Sequence, residues 1–534
     1  MEDISVNNLV LDNDPTNEVA LSNDKLWAFH EGILKELKMN NARIKKLEIY
    51  FDEGDTYTST SNVDWEKEGV SAISTNANLK LLKVYILQDE WDDEYAARAN
   101  IMALFRSVSI NESIEHLSIE GDIEGTMIDT GDLMEILSPC FQQNRLRSFV
   151  FWNFRLTHKS AQLLASALSN CKSLRELKLD INSVIIGDEY DDALAKIFTA
   201  LGVQGNLREL ELNLHNFPNP GRKKKWIALG DLLQNTRSKL QVLKFDHNHI
   251  SDDGATILGD ALEKNDTLTK LSLSGVNSIT STGWVPLFKG LAINTSLKEI
   301  NLSHNKSIGD EAAVAFASAV TDGSSLESLS ISYNQTISPN SWKTLLTSIL
   351  TSCSSFKQLT LAKNNINDEV IRVLRDAMVN GSVLKTLHLD STLSITPNGM
   401  ASFFVCLSDT KSSLETLNLS GGWRNGQCMI NDECFVTLAE ALATNTKLAN
   451  LSLCYNNSIS SVGWLSFFDK MRNSDSVLEN LDFSTINSID DNVVVTMVNT
   501  LLSIPSLKVL RLSENRSISA VGWTSITSLL QSPN

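Results

Sequence analysis

Between Leu240 and Asn305 the chain spells the same unit twice and begins a third copy: LQVLKFDHNHISDDGATILGDALEKNDT, then LTKLSLSGVNSITSTGWVPLFKGLAINTS, then LKEINLSHN. Each copy opens Leu-x-x-Leu-x-Leu or a close variant, an alternation of apolar and polar residues that suits a short strand with one buried face. Leu258 and Leu262 of one copy answer Leu287 and Leu291 of the next, at helical spacing. A strand and a helix of this size cannot bury their apolar faces alone, so each unit must stack on its neighbours. The period therefore replaces the three or four compact domains that 534 residues would otherwise suggest.

The openings recur from Ile44 and Leu79 through Leu174, Leu268, Leu326 and Leu414 to Leu507, sixteen units in all. In the regular half, Asn248, Asn305, Asn334, Asn364, Asn456 and Asn515 each fall three residues after the last large apolar strand residue, and Asn182 holds the matching place earlier. An asparagine there can satisfy backbone groups of its own turn and of the adjacent coil. Val276, Thr392, Gly422 and Ile486 interrupt this series, and looser turns are expected there. The sequons at Asn294, Asn334 and Asn515 arise from the same asparagine-rich loops and predict no glycosylation.

Two helix types alternate from the seventh unit. One carries acids at its start, as in ISDDGATIL and INDECFVTL, where they suit the positive end of a helix. The other carries Trp284, Trp342, Trp464 and Trp523, with Met400 in one copy. Trp284, Leu287, Phe288 and Leu291 share one helical face, so the tryptophans are expected to pack between repeats and not to form a ligand platform.

These motifs resemble the leucine-rich repeat family, and the order Leu-x-x-Leu-x-Leu-x-x-Asn-x-Ile with a period near 28–30 is similar to its ribonuclease-inhibitor-like subclass. The resemblance covers roughly residues 40–531. It implies an α/β fold, a leucine-rich repeat solenoid of about sixteen repeats shaped as a horseshoe, with parallel strands on the concave face and helices on the convex face. Residues 1–22 are acidic with few large apolar groups, and disorder is expected. A capping helix is expected over 23–43, with Leu26, Phe29, Ile33 and Leu37 on one face, and the solenoid over 44–534.

No Gly-x-x-x-x-Gly-Lys-Ser/Thr loop, no His-Glu-x-x-His and no paired Cys-x-x-Cys occur. No catalytic residue, metal site or cofactor is expected, and the chain reads as a non-enzymatic scaffold or regulator that binds another protein. The alternative is a GTPase-activating protein, because the Ran-type activators resemble this subclass; those carry a long acidic tail that these 534 residues lack. Net charge is −18, which disfavours nucleic acid and anionic membranes and favours a protein partner carrying basic groups. Seven scattered cysteines and an acidic start without an apolar core point to a cytoplasmic protein, with the nucleus as the alternative.

Side chains that alternate with the buried leucines face the inner surface. In the first seven units these are aromatic and charged; in the later ones they are mostly Ser, Thr and Asn, as at Ser272, Ser330 and Asn418. Binding energy concentrates in aromatic and charged groups that lose water together. The expected contact surface is therefore Tyr50, Tyr85, Trp152, Glu176, Lys178, Asp180, Glu211 and Asp246, unless these are only solvated strand residues. A Gly-rich insertion at 421–428 with Trp423 and Arg424 is a second candidate. Acid clusters at Asp89–Glu94 and Asp188–Asp192 and the basic run Arg222–Lys225 read first as solvated loops.

Overall fold

The computed structural model describes residues 18–21, 37–40, 45–51, 71–86, 94–121, 129–182, 188–215, 222–320, 324–392, 394–409, 411–422, 430–472 and 474–530. The chain divides into two compact units, 1–268 and 269–534.

In the first unit the strands are β1 (Glu18–Leu21), β2 (Lys46–Phe51), β3 (Leu81–Ile86), β4 (His116–Gly121), β5 (Ser148–Arg155), β6 (Glu176–Asn182), β7 (Glu209–His215) and β8 (Val242–Lys244). Each pairs in parallel with the next in chain order. Helices at Glu94–Ile110, Thr130–Gln142, His158–Asn170, Asp188–Gln204, Lys224–Gln234 and Asp252–Lys264 alternate with the later strands. The second unit repeats the scheme from β9 (Lys270–Ser272) to β17 (Val509–Arg511), with strands of three residues and parallel pairing throughout. From β2 to β17 every strand begins two residues after a predicted opening, so the sixteen repeats stand where the period put them.

The alternation seen in the sequence is the alternation of burial. Leu177 and Leu179 of β6 are buried and pack towards the helices, while Glu176, Lys178 and Asp180 turn to the other face half-exposed. The same holds for β3 and β4. Trp284, Trp342, Trp464 and Met400 have no exposed surface, as inter-repeat packing requires. Trp464 meets Phe435 at 4.8 Å and Phe483 at 5.0 Å between ring centroids. Its counterpart Trp523, in the final helix, keeps 46% of its surface exposed.

The asparagine series is a hydrogen-bond ladder. Asn305 donates to the carbonyls of Leu273 and Leu302 at 2.8 and 2.9 Å, and its backbone N–H donates to the Asn334 carboxamide at 3.0 Å. Asn334 repeats this with Asn364, and Asn515 accepts from the Ile486 N–H at 2.6 Å. These side chains, including the sequon residues Asn334 and Asn515, are buried. The turns at three of the interruptions are not looser: Gly275, Ser391 and Thr485 precede them with φ of 69°, 56° and 60°, matching His304 and Tyr333 in the asparagine turns at 62° and 59°. The turn depends on a left-handed residue before the ladder position, and the hydroxyl of Thr392 replaces the carboxamide by donating to the Leu389 carbonyl.

Two expectations at the start of the chain meet the structure only in part. Glu18–Leu21, inside the segment expected to be disordered, forms β1 against β2, which gives the backbone of β2 a partner on its outer side. Of the residues expected to form the capping helix, 37–40 are described: Leu37 and Lys38 are helical, and Met39 and Asn40 form a turn.

Candidate functional site

The expected contact surface is set by strand register. Tyr50 of β2, Tyr85 of β3, Glu120 of β4 and Trp152 of β5 stand opposite one another in turn, so they form one row across four strands. Beyond Trp152 the register shifts between Phe151 and Phe154, where β5 bulges against β6. A bulge re-aims the side chains beside it, and Trp152 lies at the point where the row is broken. Tyr85 and Trp152 are half-buried. Burial, with Glu120 and Glu48 nearby, pushes the Tyr85 phenol above its usual range, against the opposing effect of Lys83.

A second row joins the charged candidates. Lys178 of β6 lies opposite Glu211 of β7, which lies opposite Lys244 of β8. The Lys178 ammonium stands 2.8 Å from Glu176 and 4.0 Å from Glu211, and Lys244 donates to Glu209 at 2.8 Å and to Glu211 at 3.1 Å. Burial pushes the Glu176 carboxyl up, but hydrogen bonds from Lys178 and Ser148 outweigh it and hold the group below the usual range. Burial likewise pushes Lys244 down, and its bonds to Glu209 and Glu211 reverse that, leaving it raised. Sequence reasoning missed Glu209 and Lys244 as members of this network, although their place in the repeat marks them.

Asp180 stands opposite Asn213, one row along, and Asp246 lies half-buried just past β8. Tyr85, Trp152, Glu176, Lys178, Asp180 and Glu211 thus share one sheet face. Trp423 and Arg424, the side chain of Tyr50 and the cluster before Glu94 lie outside the described residues and side chains.

The acidic cluster Asp188–Asp192 and the basic run near Lys225 are partners. Asp191 meets Lys225 at 3.0 Å and Asp192 meets Lys224 at 2.8 Å, so two helix starts are joined. Tyr190 is buried, which pushes its phenol well above the usual range. The expectation of a solvated loop is corrected here: Asp188–Asp192 is the first part of a helix, its Tyr190 is buried, and its last two acids, Asp191 and Asp192, are already paired.

A feature the sequence reading overlooked lies in the turns of the second unit. His304 stacks on Tyr333 at 3.9 Å, and the Lys363 ammonium stands 4.8 Å from the Tyr333 ring centre. All three are the left-handed residues of successive repeats. Their equivalence is visible only once the turn geometry is known.

Among the described residues no group of three metal-ligating side chains converges, and no helix is long and apolar enough to cross a membrane. Six described cysteines are free thiols, five of them buried. Burial pushes Cys140 and Cys406 up to about 12.

A family model described as "Leucine Rich repeat" matches residues 238–258 and 294–317, the repeats of β8 and β10 (Glu299–Asn301). No curated protein matches the chain. Among solved structures the chain is similar to one described as "Crystal structure of Rad7 and Elc1 complex in yeast", at 16% identity and a TM-score of 0.46, over 80% of this chain and 90% of that one.

Proposed function

Because the chain is a leucine-rich repeat protein, we propose that it is a protein-binding scaffold or regulator, and that it holds its partner against the sheet face of the first unit. The observation that carries this reading is the register row of Tyr85, Glu120 and Trp152 beside the Lys178–Glu211–Lys244 network. Half-buried aromatic rings lose little side-chain entropy on binding, and they supply most of the energy of protein interfaces. The lysines and glutamates alongside hold one another in place, so a partner meets an already ordered polar surface. The carboxylates of Glu120, Asp180 and Asp246 add to that surface and favour a partner with basic groups.

Affinity capture with the full chain, followed by mass spectrometry, tests the reading. The double variant Trp152→Ala with Asp180→Ala should lose the proteins that the unchanged chain retains. The control Asn418→Ala, on a strand of the second unit, should keep them. Retention by the double variant at an unchanged unfolding temperature rejects this face.

A further inference from the structure

The residue just before each strand forms a row of its own, because its N–H donates to the carbonyl of its counterpart in the preceding repeat. Arg147 donates to Glu115 at 2.7 Å, Arg175 to Arg147 at 2.8 Å and Arg208 to Arg175 at 2.7 Å. Neighbouring members of the row are thus about one strand spacing apart, roughly 4.8 Å.

At several other places this row pairs its cations with carboxylates. Glu115 is shared by Lys80 at 3.1 Å and Arg147 at 2.9 Å. Glu327 is shared by Lys298 at 3.0 Å and Lys357 at 2.8 Å, and Glu479 meets Lys508 at 2.8 Å. Arg175 and Arg208 break the pattern. Neither makes an ion pair among the described residues, and Arg175 donates only to the backbone carbonyls of Lys172 and Leu174. Arg147, Arg175 and Arg208 line one open groove whose walls carry five cations and two carboxylates, in a chain whose net charge is −18.

Like charges on adjacent strands repel, and while Glu115 offsets Arg147, no ion pair among the described residues offsets Arg175 or Arg208. Departures from a local rule that bring no internal gain collect at functional sites. We propose that Arg147, Arg175 and Arg208 form a docking row for an extended acidic segment of a partner polypeptide. Guanidinium groups pair with carboxylates through two parallel hydrogen bonds. Alternate side chains of an extended peptide stand about 6.8 Å apart, so two of its carboxylates fall within the roughly 10 Å spanned by three arginines. A nucleic acid calls for a longer basic track than three arginines supply. This surface lies at the strand entrances and does not depend on the sheet face proposed above.

The test is fluorescence anisotropy of a labelled octaglutamate peptide with the full chain at low salt, compared with an octaserine peptide and an eight-nucleotide single strand. The unchanged chain should bind octaglutamate best, and binding should weaken as salt rises. Arg175→Glu with Arg208→Glu should weaken it by at least about tenfold, which is 1.4 kcal/mol. Because reversal can disturb folding, the exposed Arg208→Gln is measured as well and should weaken binding about threefold, with an unchanged unfolding temperature. Equal binding by the unchanged chain and both variants overturns the proposal, as does no binding of octaglutamate or tighter binding of the nucleic acid.

Discussion

The Asp191 carboxylate and the Lys225 ammonium meet at 3.0 Å with 5% and 7% of their side chains exposed. Asp191 also accepts from the Lys224 N–H at 3.0 Å, so one carboxylate joins the starts of two successive helices. Removing one member of such a pair strands the other charge in the core. Lys225→Met should therefore cost about 3–5 kcal/mol, whereas Asp191→Leu with Lys225→Met should cost much less. Denaturant midpoints of the two variants decide it, and equal losses would show that the pair is solvated.

A related device joins the helices of the second unit. Asp432 accepts from the Ser460 N–H at 2.7 Å and from its hydroxyl, and Asp368 does the same with Thr396. Gly463 makes room: a methyl group there would overlap the Asp432 carboxylate. Gly463→Ala should destabilise by roughly 1–3 kcal/mol, and adding Asp432→Ala should recover part of that. Additive losses in thermal unfolding would refute the steric account.

Acid should weaken the caps of this kind made by Asp491 and Asp310. Hydrogen bonds from the Ser519 hydroxyl and N–H hold the Asp491 carboxyl below its usual range. At Asp310 burial pushes upward, but bonds from the Ser338 backbone and from Ser341 win and lower it. A carboxyl lowered by folding stabilises above its unfolded value, about 3.9, and that stability is lost as pH falls through the folded value. Ser519→Ala should therefore lower the unfolding temperature at pH 7, and the gap from the unchanged chain should narrow towards pH 3. A gap independent of pH would contradict this.

Thr485 occupies the left-handed region at φ 60° and is β-branched. That conformation costs an L-residue roughly 1–2 kcal/mol, and glycine avoids it at an entropic cost of about 0.5–1 kcal/mol. Thr485→Gly should raise stability by up to about 1 kcal/mol, measured by denaturant unfolding. A loss would mean that the hydroxyl has a role in the turn.

Much of the fold was legible because period and burial are the same signal. Leu177, Leu179, Trp284 and Trp464 repeat at fixed places, and fixed places in a stack of equivalent coils are core places. The face of the candidate site was legible on the same ground, since Glu176, Lys178 and Asp180 alternate with buried leucines. What the period could not supply was the neighbour. It placed the acids of the INDECFVTL type in the first turn of their own helix, where they stand, but it did not supply the further bond by which Asp432 caps the helix of the next repeat.

The amino-acid order alone determined where each strand begins, which side chains are buried and which face is open, because equivalent positions repeat along one dimension. The tertiary structure alone decided who meets whom across repeats. It brought Asp191 to Lys225, set the left-handed turns, shifted the register at Trp152 and left Arg175 and Arg208 beside another arginine. Contacts between coils depend on rotamer, register and side-chain reach over some 30 intervening residues, and a repeat length specifies none of these.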